Sequence, residues 1–150
     1  MLRLSLAWLH LLALGIGLGA VWTRGRSLAQ RPLTLDAVRR AFAADTWWGI
    51  AAGLWIATGL WRLLAGTEKA TSYYMDNHLF FTKMALLVVI LALEVWPMKT
   101  LIGWRKSAGK SGDTWQPNEG AAARIAQISR IQAALVVAMV LAAVSMARGY

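Results

Sequence analysis

The hydrophobic pattern divides the chain into four long apolar segments separated by polar stretches. The segments cover about residues 2–22, 47–64, 79–98 and 125–147. Each is close to the roughly 20 residues that an α-helix needs to cross about 30 Å of hydrocarbon. Helices are expected because lipid offers backbone N–H and C=O groups no hydrogen-bonding partner. The pattern therefore predicts an all-α, four-helix transmembrane bundle that forms one integral-membrane domain over residues 1–150.

The composition agrees with a membrane protein. Hydrophobic residues make up 58% of the chain and charged residues only 15%, which a soluble domain of this size would have difficulty covering. The chain has no cysteine, which excludes disulfides, thiolate catalysis and Cys-ligated metals. HExxH, phosphate-loop and GxSxG motifs are also absent from the sequence. Whether the protein is an enzyme therefore stays open.

The net charge of +9 reflects basic residues that are concentrated in the polar stretches. The first and third of them lie on one side of the predicted bundle and hold five basic residues each: Arg24, Arg26, Arg31, Arg39 and Arg40, and Lys99, Arg105, Lys106, Lys110 and Arg124. The positive-inside rule places both stretches in the cytoplasm and both termini outside. The lipid bilayer is then the main partner. Nucleic acid is not expected, because no basic residues interleave with aromatics in a soluble module.

Two local patterns add detail to this bundle. Thr34 and Asp36 precede the sequence AVRRAF, which predicts the capped start of a short interfacial helix in the first cytoplasmic loop. Two GxxxG motifs allow close approach of helix backbones: Gly15 with Gly19, and Gly49 with Gly53. They serve either helix packing inside the bundle or association into a homo-oligomer or larger membrane complex.

Charged residues inside the apolar segments need a physical explanation, because they are costly in a bilayer. Lys83 and Glu94 share one face of the third segment but lie roughly 16 Å apart along the axis, too far for a mutual salt bridge. The lysine can extend its ammonium to the headgroups. For Glu94 we expect an ion pair with Arg130 on the fourth segment, near Asp45, or alternatively a proton or cation site.

His10 lies within the first segment, in an apolar environment. A single histidine there is either a hydrogen-bonded core residue or, in a four-helix membrane bundle, a ligand of haem iron. Met139 falls at a similar depth on the fourth segment and is the candidate second axial ligand. Arg62 and Lys83 lie toward the side where haem propionates would emerge. These four residues form the candidate haem b site.

Several stretches together resemble a known family: WLHLLALGIGLGAVW, WWGIAAGLWIATGLWR, FFTKMALLVVILALEVWPMKT and ISRIQAALVV. They resemble the bacterial predicted membrane proteins of domain of unknown function 2214 over nearly the whole chain. The resemblance implies a multi-pass protein of the bacterial inner membrane.

A more distant resemblance concerns His10 and the small residues after it. They resemble the first helix of HemJ-type protoporphyrinogen oxidases and CopD-type copper-resistance proteins. Lys83 matches a HemJ lysine, whereas Glu94 stands where those proteins carry a histidine. This likeness implies a haem site at His10 without implying porphyrinogen oxidation.

Three functional hypotheses follow. The first is a haem-associated membrane protein with His10 as the iron ligand. The second is a small ion or proton transport protein that uses Glu94, Arg130 and Asp45; its copper variant recruits Met75, His78 and Met84. The third is a non-catalytic subunit or scaffold of a membrane complex, in which the polar residues only align the helices.

Overall fold

The computed structural model describes residues 1–65 and 77–148, apart from the side chain of Asp113. Within these residues the chain forms four α-helices: α1 (Leu2–Leu28), α2 (Leu35–Leu64), α3 (His78–Ser111) and α4 (Glu119–Ala147). A short 3-10 helix, Gly112–Thr114, lies between α3 and α4. The predicted all-α class and the number of long helices are thereby confirmed.

Side-chain caps fix the beginnings of three helices. Thr34 Oγ1 accepts a hydrogen bond from the backbone N–H of Ala37 at the start of α2. Asn77 and Asn118 cap α3 and α4 in the same way. These oxygens satisfy backbone donors that have no partner within the helix. Thr34 is thus a helix cap, as the sequence predicts. However, the expectation of a separate interfacial helix was wrong, because the capped residues are the first turns of an uninterrupted α2.

The helices are longer than the apolar segments that predicted them. α1 continues past residue 22 to Leu28, and α2 begins at Leu35, well before residue 47. α3 continues through Pro97 to Ser111. Hydropathy marks the part of a helix suited to hydrocarbon, whereas backbone hydrogen bonding continues into the polar residues beyond it. These extensions place Arg24 and Asp45 inside helices. The sequence pattern assigns Arg24 to a loop and Asp45 to the membrane edge.

Three of the described helices are long and apolar enough to cross a membrane: α1, α3 and α4. The prediction of four spanning segments is therefore supported for three. α2 is less apolar, because its most apolar part, residues 47–64, contains four tryptophans and Arg62. Indole rings favour the boundary between water and lipid, and a guanidinium disfavours hydrocarbon.

The helices pack in the spatial order α2–α1–α4–α3. α1 packs along α2 and also against α4, while α3 packs mainly against α4. α2 and α3 contact each other at few points. Two buried apolar clusters fill the bundle, one around Val21, Trp48 and Met139 and the other around Leu28 and Leu101. The open seam between α2 and α3 is the feature that creates the cavities described below.

Gly25 is predicted to be sensitive to substitution, whereas Gly19 on the same helix is tolerant. A Cβ atom at Gly25 would lie 3.1 Å from Ser129 Cβ and 3.4 Å from the Ala126 carbonyl oxygen, while one at Gly19 meets nothing within 4 Å. Gly25→Ala should separate α1 from α4 and cost about 1–3 kcal/mol of unfolding free energy. Gly19→Ala should be neutral or stabilising by up to about 1 kcal/mol through helix propensity. Unfolding in mixed micelles measures both. Equal effects of the two changes would contradict the close approach at Gly25.

Candidate functional site

Arg24 on α1 is a buried guanidinium at the centre of a polar network. Its side chain is 0% exposed. Nε donates to Ser129 Oγ at 3.0 Å, and one terminal nitrogen donates to Asp45 Oδ1 at 2.8 Å and Glu94 Oε1 at 2.6 Å. The other terminal nitrogen donates to Glu94 Oε2 and to Gln132 Oε1, both at 2.8 Å. Glu94 is therefore held in the two-pronged geometry that makes arginine–carboxylate pairs strong.

The partners of Arg24 are themselves hydrogen-bonded. Gln132 Nε2 donates to Glu94 Oε2 at 2.8 Å and to the Ile90 carbonyl oxygen at 3.2 Å. Arg105 donates to Asp45 Oδ2 at 3.0 Å and to the Phe42 carbonyl oxygen at 2.6 Å. The Arg105 guanidinium also lies over the Phe42 ring, 5.2 Å from its centroid. Buried polar groups stabilise a fold only when they are satisfied, and this network meets that condition around Arg24.

We call this set the Arg24 network: Arg24, Asp45, Glu94, Arg105, Ser129 and Gln132. It joins all four helices, including α2 and α3, which otherwise barely touch. Two carboxylates face two guanidiniums, so the ionised groups balance. The network is therefore balanced in charge, and we expect it to fix the relative register of the helices.

The predicted partner of Glu94 was wrong. Arg130 lies on the exposed side of α4, and Arg24 occupies the position expected for it. The error came from assigning Arg24 to a cytoplasmic loop. A signal for its inward position was nevertheless present, because His10, Gly17 and Arg24 follow one another at a regular heptad interval along the sequence. That interval places them on one face of α1, and an inward position is already expected for His10.

His10 lies toward the other end of the same face of α1. The residue is 8% exposed, and its Nδ1 lies 2.9 Å from Thr58 Oγ1 on α2. The single hydroxyl proton of Thr58 is directed to backbone carbonyls of its own helix, at 2.7 Å from Leu54 and 3.1 Å from Trp55. With the hydroxyl proton so directed, we assign Thr58 Oγ1 as the acceptor of a hydrogen bond from Nδ1–H. This assignment puts the ring's lone pair on Nε2.

The imidazole position is fixed by packing as well. The ring stacks on Trp55, with centroids 5.5 Å apart. On the same helix, Gly59 leaves room for the ring, since a Cβ there would lie 3.2 Å from His10 Cε1. The sequence pattern did not predict these neighbours of the His10 ring, which are Trp55, Thr58 and Gly59. Their spacing within α2 is the only signal that places them on one helix face.

A cavity of about 360 Å³ lies beside the imidazole, and we call it the His10 cavity. It is bordered by α1, α2, α3 and α4, and its walls are mainly apolar. All four residues of the predicted haem site line it: His10, Arg62, Lys83 and Met139. Met139 is nearly fully buried. The volume is within the range of small-molecule sites, about 300–1,000 Å³. The structure shows that these four residues line one cavity. That they hold haem there stays a prediction.

The residues of the copper variant lie only partly within the described part of the chain, so this variant stays a prediction. Met84 lines the His10 cavity and His78 begins α3, whereas Met75 lies outside the described residues. In the described part of the chain, no three His, Asp or Glu side chains are grouped as metal ligands.

A second cavity, of about 260 Å³, continues along the seam between α2 and α3, and we call it the Trp48 cavity. Its walls are almost entirely apolar and include Trp48 and Trp55, while Asp45 and Glu94 of the Arg24 network also line it. The two carboxylate side chains are 13% and 16% exposed. The two cavities are neighbours along one seam, because they share four lining residues: Leu14, Trp55, Ile56 and Leu87.

The long apolar helices, the lipid-suited surface and the buried ion network define a helical-bundle membrane protein. The chain belongs to the family described as predicted membrane protein, domain of unknown function 2214 (DUF2214), whose model matches residues 2–150. No curated protein and no solved structure matches this chain.

Proposed function

We propose that this protein binds haem b in the His10 cavity. The observation that carries the proposal is the 2.9 Å contact between His10 Nδ1 and Thr58 Oγ1, which we assign as a hydrogen bond from Nδ1–H. Histidines that bind metals commonly donate the second ring N–H to a fixed acceptor, which orients the ring and raises the basicity of the ligating nitrogen. Here the acceptor sits on a neighbouring helix and directs the lone pair to Nε2. Histidine ligation through Nε2 is suited to haem iron.

The other cavity residues fit the same ligand. The thioether of Met139 is a suitable second axial ligand, and the apolar walls suit a porphyrin face. Arg62 and Lys83 line the cavity and supply positive charge for the two propionates. Bound haem would supply one-electron redox chemistry. The protein's own residues would hold the iron, orient the ring and exclude water.

The proposal is tested by adding haem to the purified protein in detergent and recording its absorption spectrum. We expect a Soret band shifted from that of free haem, which shifts again on reduction by dithionite. A stoichiometry near one haem per chain is expected from titration. A folded protein, shown by circular dichroism, whose added haem keeps the spectrum of haem in empty micelles would overturn the proposal.

The ion-transport and scaffold hypotheses have weaker support. The guanidinium donors of Arg24 are directed to protein acceptors, which favours a structural role for this network over a path for ions.

A homo-oligomer through the GxxxG faces stays a prediction. Its support is that all four glycines are exposed, and a Cβ at any of them meets nothing within 4 Å: Gly15, Gly19, Gly49, Gly53.

We propose a bacterial inner-membrane location with both termini outside, on the strength of the basic residues near the α1–α2 and α3–α4 connections. The chain has no cysteine, so a single introduced cysteine is the only thiol that the reagent can label. In intact cells, Ser107→Cys should resist a membrane-impermeant thiol reagent, while Ser5→Cys should react. Both positions are exposed, whereas Ser27 is buried and unsuitable. The reverse labelling pattern would contradict the orientation.

A further inference from the structure

The Trp48 cavity is a second candidate binding site, separate from the imidazole of His10. It lies between α2 and α3, which pack against each other only sparsely. The cavity is therefore placed along a seam at which lipid-soluble molecules can arrive from the bilayer. A volume of about 260 Å³ is enough for a single substituted aromatic ring, at the small end of ligand sites.

The polar groups of the cavity indicate what kind of head group it takes. Asp45 accepts hydrogen bonds from Arg24 and Arg105, and Glu94 accepts from Arg24 and Gln132. An ionised carboxylate has about four acceptor positions. Asp45 uses two of them and Glu94 uses three, so both retain acceptor capacity where they line the cavity. The complementary group on a ligand is a hydrogen-bond donor.

The charge balance of the Arg24 network distinguishes a neutral donor on the ligand from a cationic one. Two guanidiniums already neutralise the two carboxylates, and both ion pairs of Asp45 are at 3.0 Å or less. An added cation would leave an excess positive charge in an apolar cavity, which is unfavourable. A neutral hydroxyl adds a hydrogen bond without adding charge. The cavity chemistry thus favours a hydroxyl over an ammonium group.

The walls of the Trp48 cavity indicate the shape of the ligand that fits it. Trp48 and Trp55 present two indole rings, and the remaining lining is aliphatic apart from the two carboxylates. Indole rings pack favourably against another flat aromatic ring. We propose that the Trp48 cavity binds a neutral, lipid-soluble hydroxy-aromatic molecule of the hydroquinone type, whose hydroxyl donates to Asp45 or Glu94. This site does not depend on haem, so it is testable on haem-free protein.

The probe is a decyl-substituted benzohydroquinone, kept reduced under argon, and its dimethyl ether is the matched ligand without a donor. Binding is measured by tryptophan fluorescence of the haem-free protein in nanodiscs, with empty nanodiscs as the blank. The hydroquinone should bind about tenfold more tightly than the ether, the effect of one hydrogen bond to a charged acceptor. Equal binding of the two, or tighter binding of tetraphenylphosphonium than of the hydroquinone, would overturn the proposal.

Two variants locate the site. Ala52 lines the Trp48 cavity, and Ala52→Phe should fill it and weaken hydroquinone binding by about tenfold or more. Ala57→Phe is the matched control on the same helix, because Ala57 is exposed and lines neither cavity. Leu91→Trp fills the cavity from α3 and serves if Ala52→Phe fails to fold. Unchanged affinity in a folded cavity-filling variant would place the ligand elsewhere and refute the assignment.

Discussion

Replacing Arg24 with methionine is expected to lower the free energy of unfolding by about 3–5 kcal/mol, which is the cost of leaving a buried charge without its partner. Arg24 is the shared partner of Asp45 and Glu94, and its loss removes hydrogen bonds to three other helices. Methionine preserves much of the side-chain length, so the effect reports mainly on charge and hydrogen bonding. The measurement is unfolding by a denaturing detergent in mixed micelles, followed by tryptophan fluorescence and extrapolated linearly.

Arg26→Met is the matched control for this experiment. Arg26 lies on the same helix and is exposed, so its replacement should change stability by less than about 0.5 kcal/mol. A double change, Arg24→Met with Glu94→Gln, should recover part of the loss because fewer charges are left without a partner. If Arg24→Met were as mild as Arg26→Met, the network would not carry the helix register that we assign to it.

The parts of the structure that follow from apolar periodicity were predictable from the sequence. Helix number and class required only the length of each apolar run, since a bilayer permits few alternatives. The helix ends were not predictable in this way, because hydropathy falls wherever polar residues continue a helix beyond hydrocarbon. Thr23 and Arg24 illustrate the point, since both are polar and both still lie within α1.

The candidate site was predictable only in part, for reasons that individual residues make clear. His10 and Glu94 stood out because each is a polar residue inside an apolar run. Arg24 did not, because it stands near arginines that are exposed, and composition does not distinguish a buried arginine from a solvated one. The pairing of Glu94 with Arg24 rather than Arg130 depends on the packing of α1 between α2 and α4, which the periodicity of one helix does not specify.

His10→Ala is expected to abolish histidine ligation of haem and therefore the shifted Soret band of the reconstituted protein. The physical reason is that the variant removes the ring whose lone pair Thr58 directs to Nε2. The cavity walls remain, so residual haem should bind nonspecifically and give the spectrum of haem in micelles. The check is an absorption titration of wild type and variant at equal protein concentration. A shifted band in His10→Ala identical to that of the wild type would exclude His10 as the ligand.

Thr58→Val completes this experiment, because it separates the ligand role of His10 from a purely structural one. Valine has nearly the same shape but cannot accept the Nδ1–H bond, so the ring loses the contact that fixes its tautomer and orientation. We expect the Soret band to persist while haem affinity falls about 10–100-fold, the usual effect of losing such a supporting contact. Thr46→Val is the matched control, because Thr46 is exposed on the same helix and its hydroxyl donates to the Phe42 carbonyl oxygen. If the two variants bound haem equally well, the hydrogen bond to Thr58 would have no part in holding the ligand, and the case for haem at His10 would lose its main support.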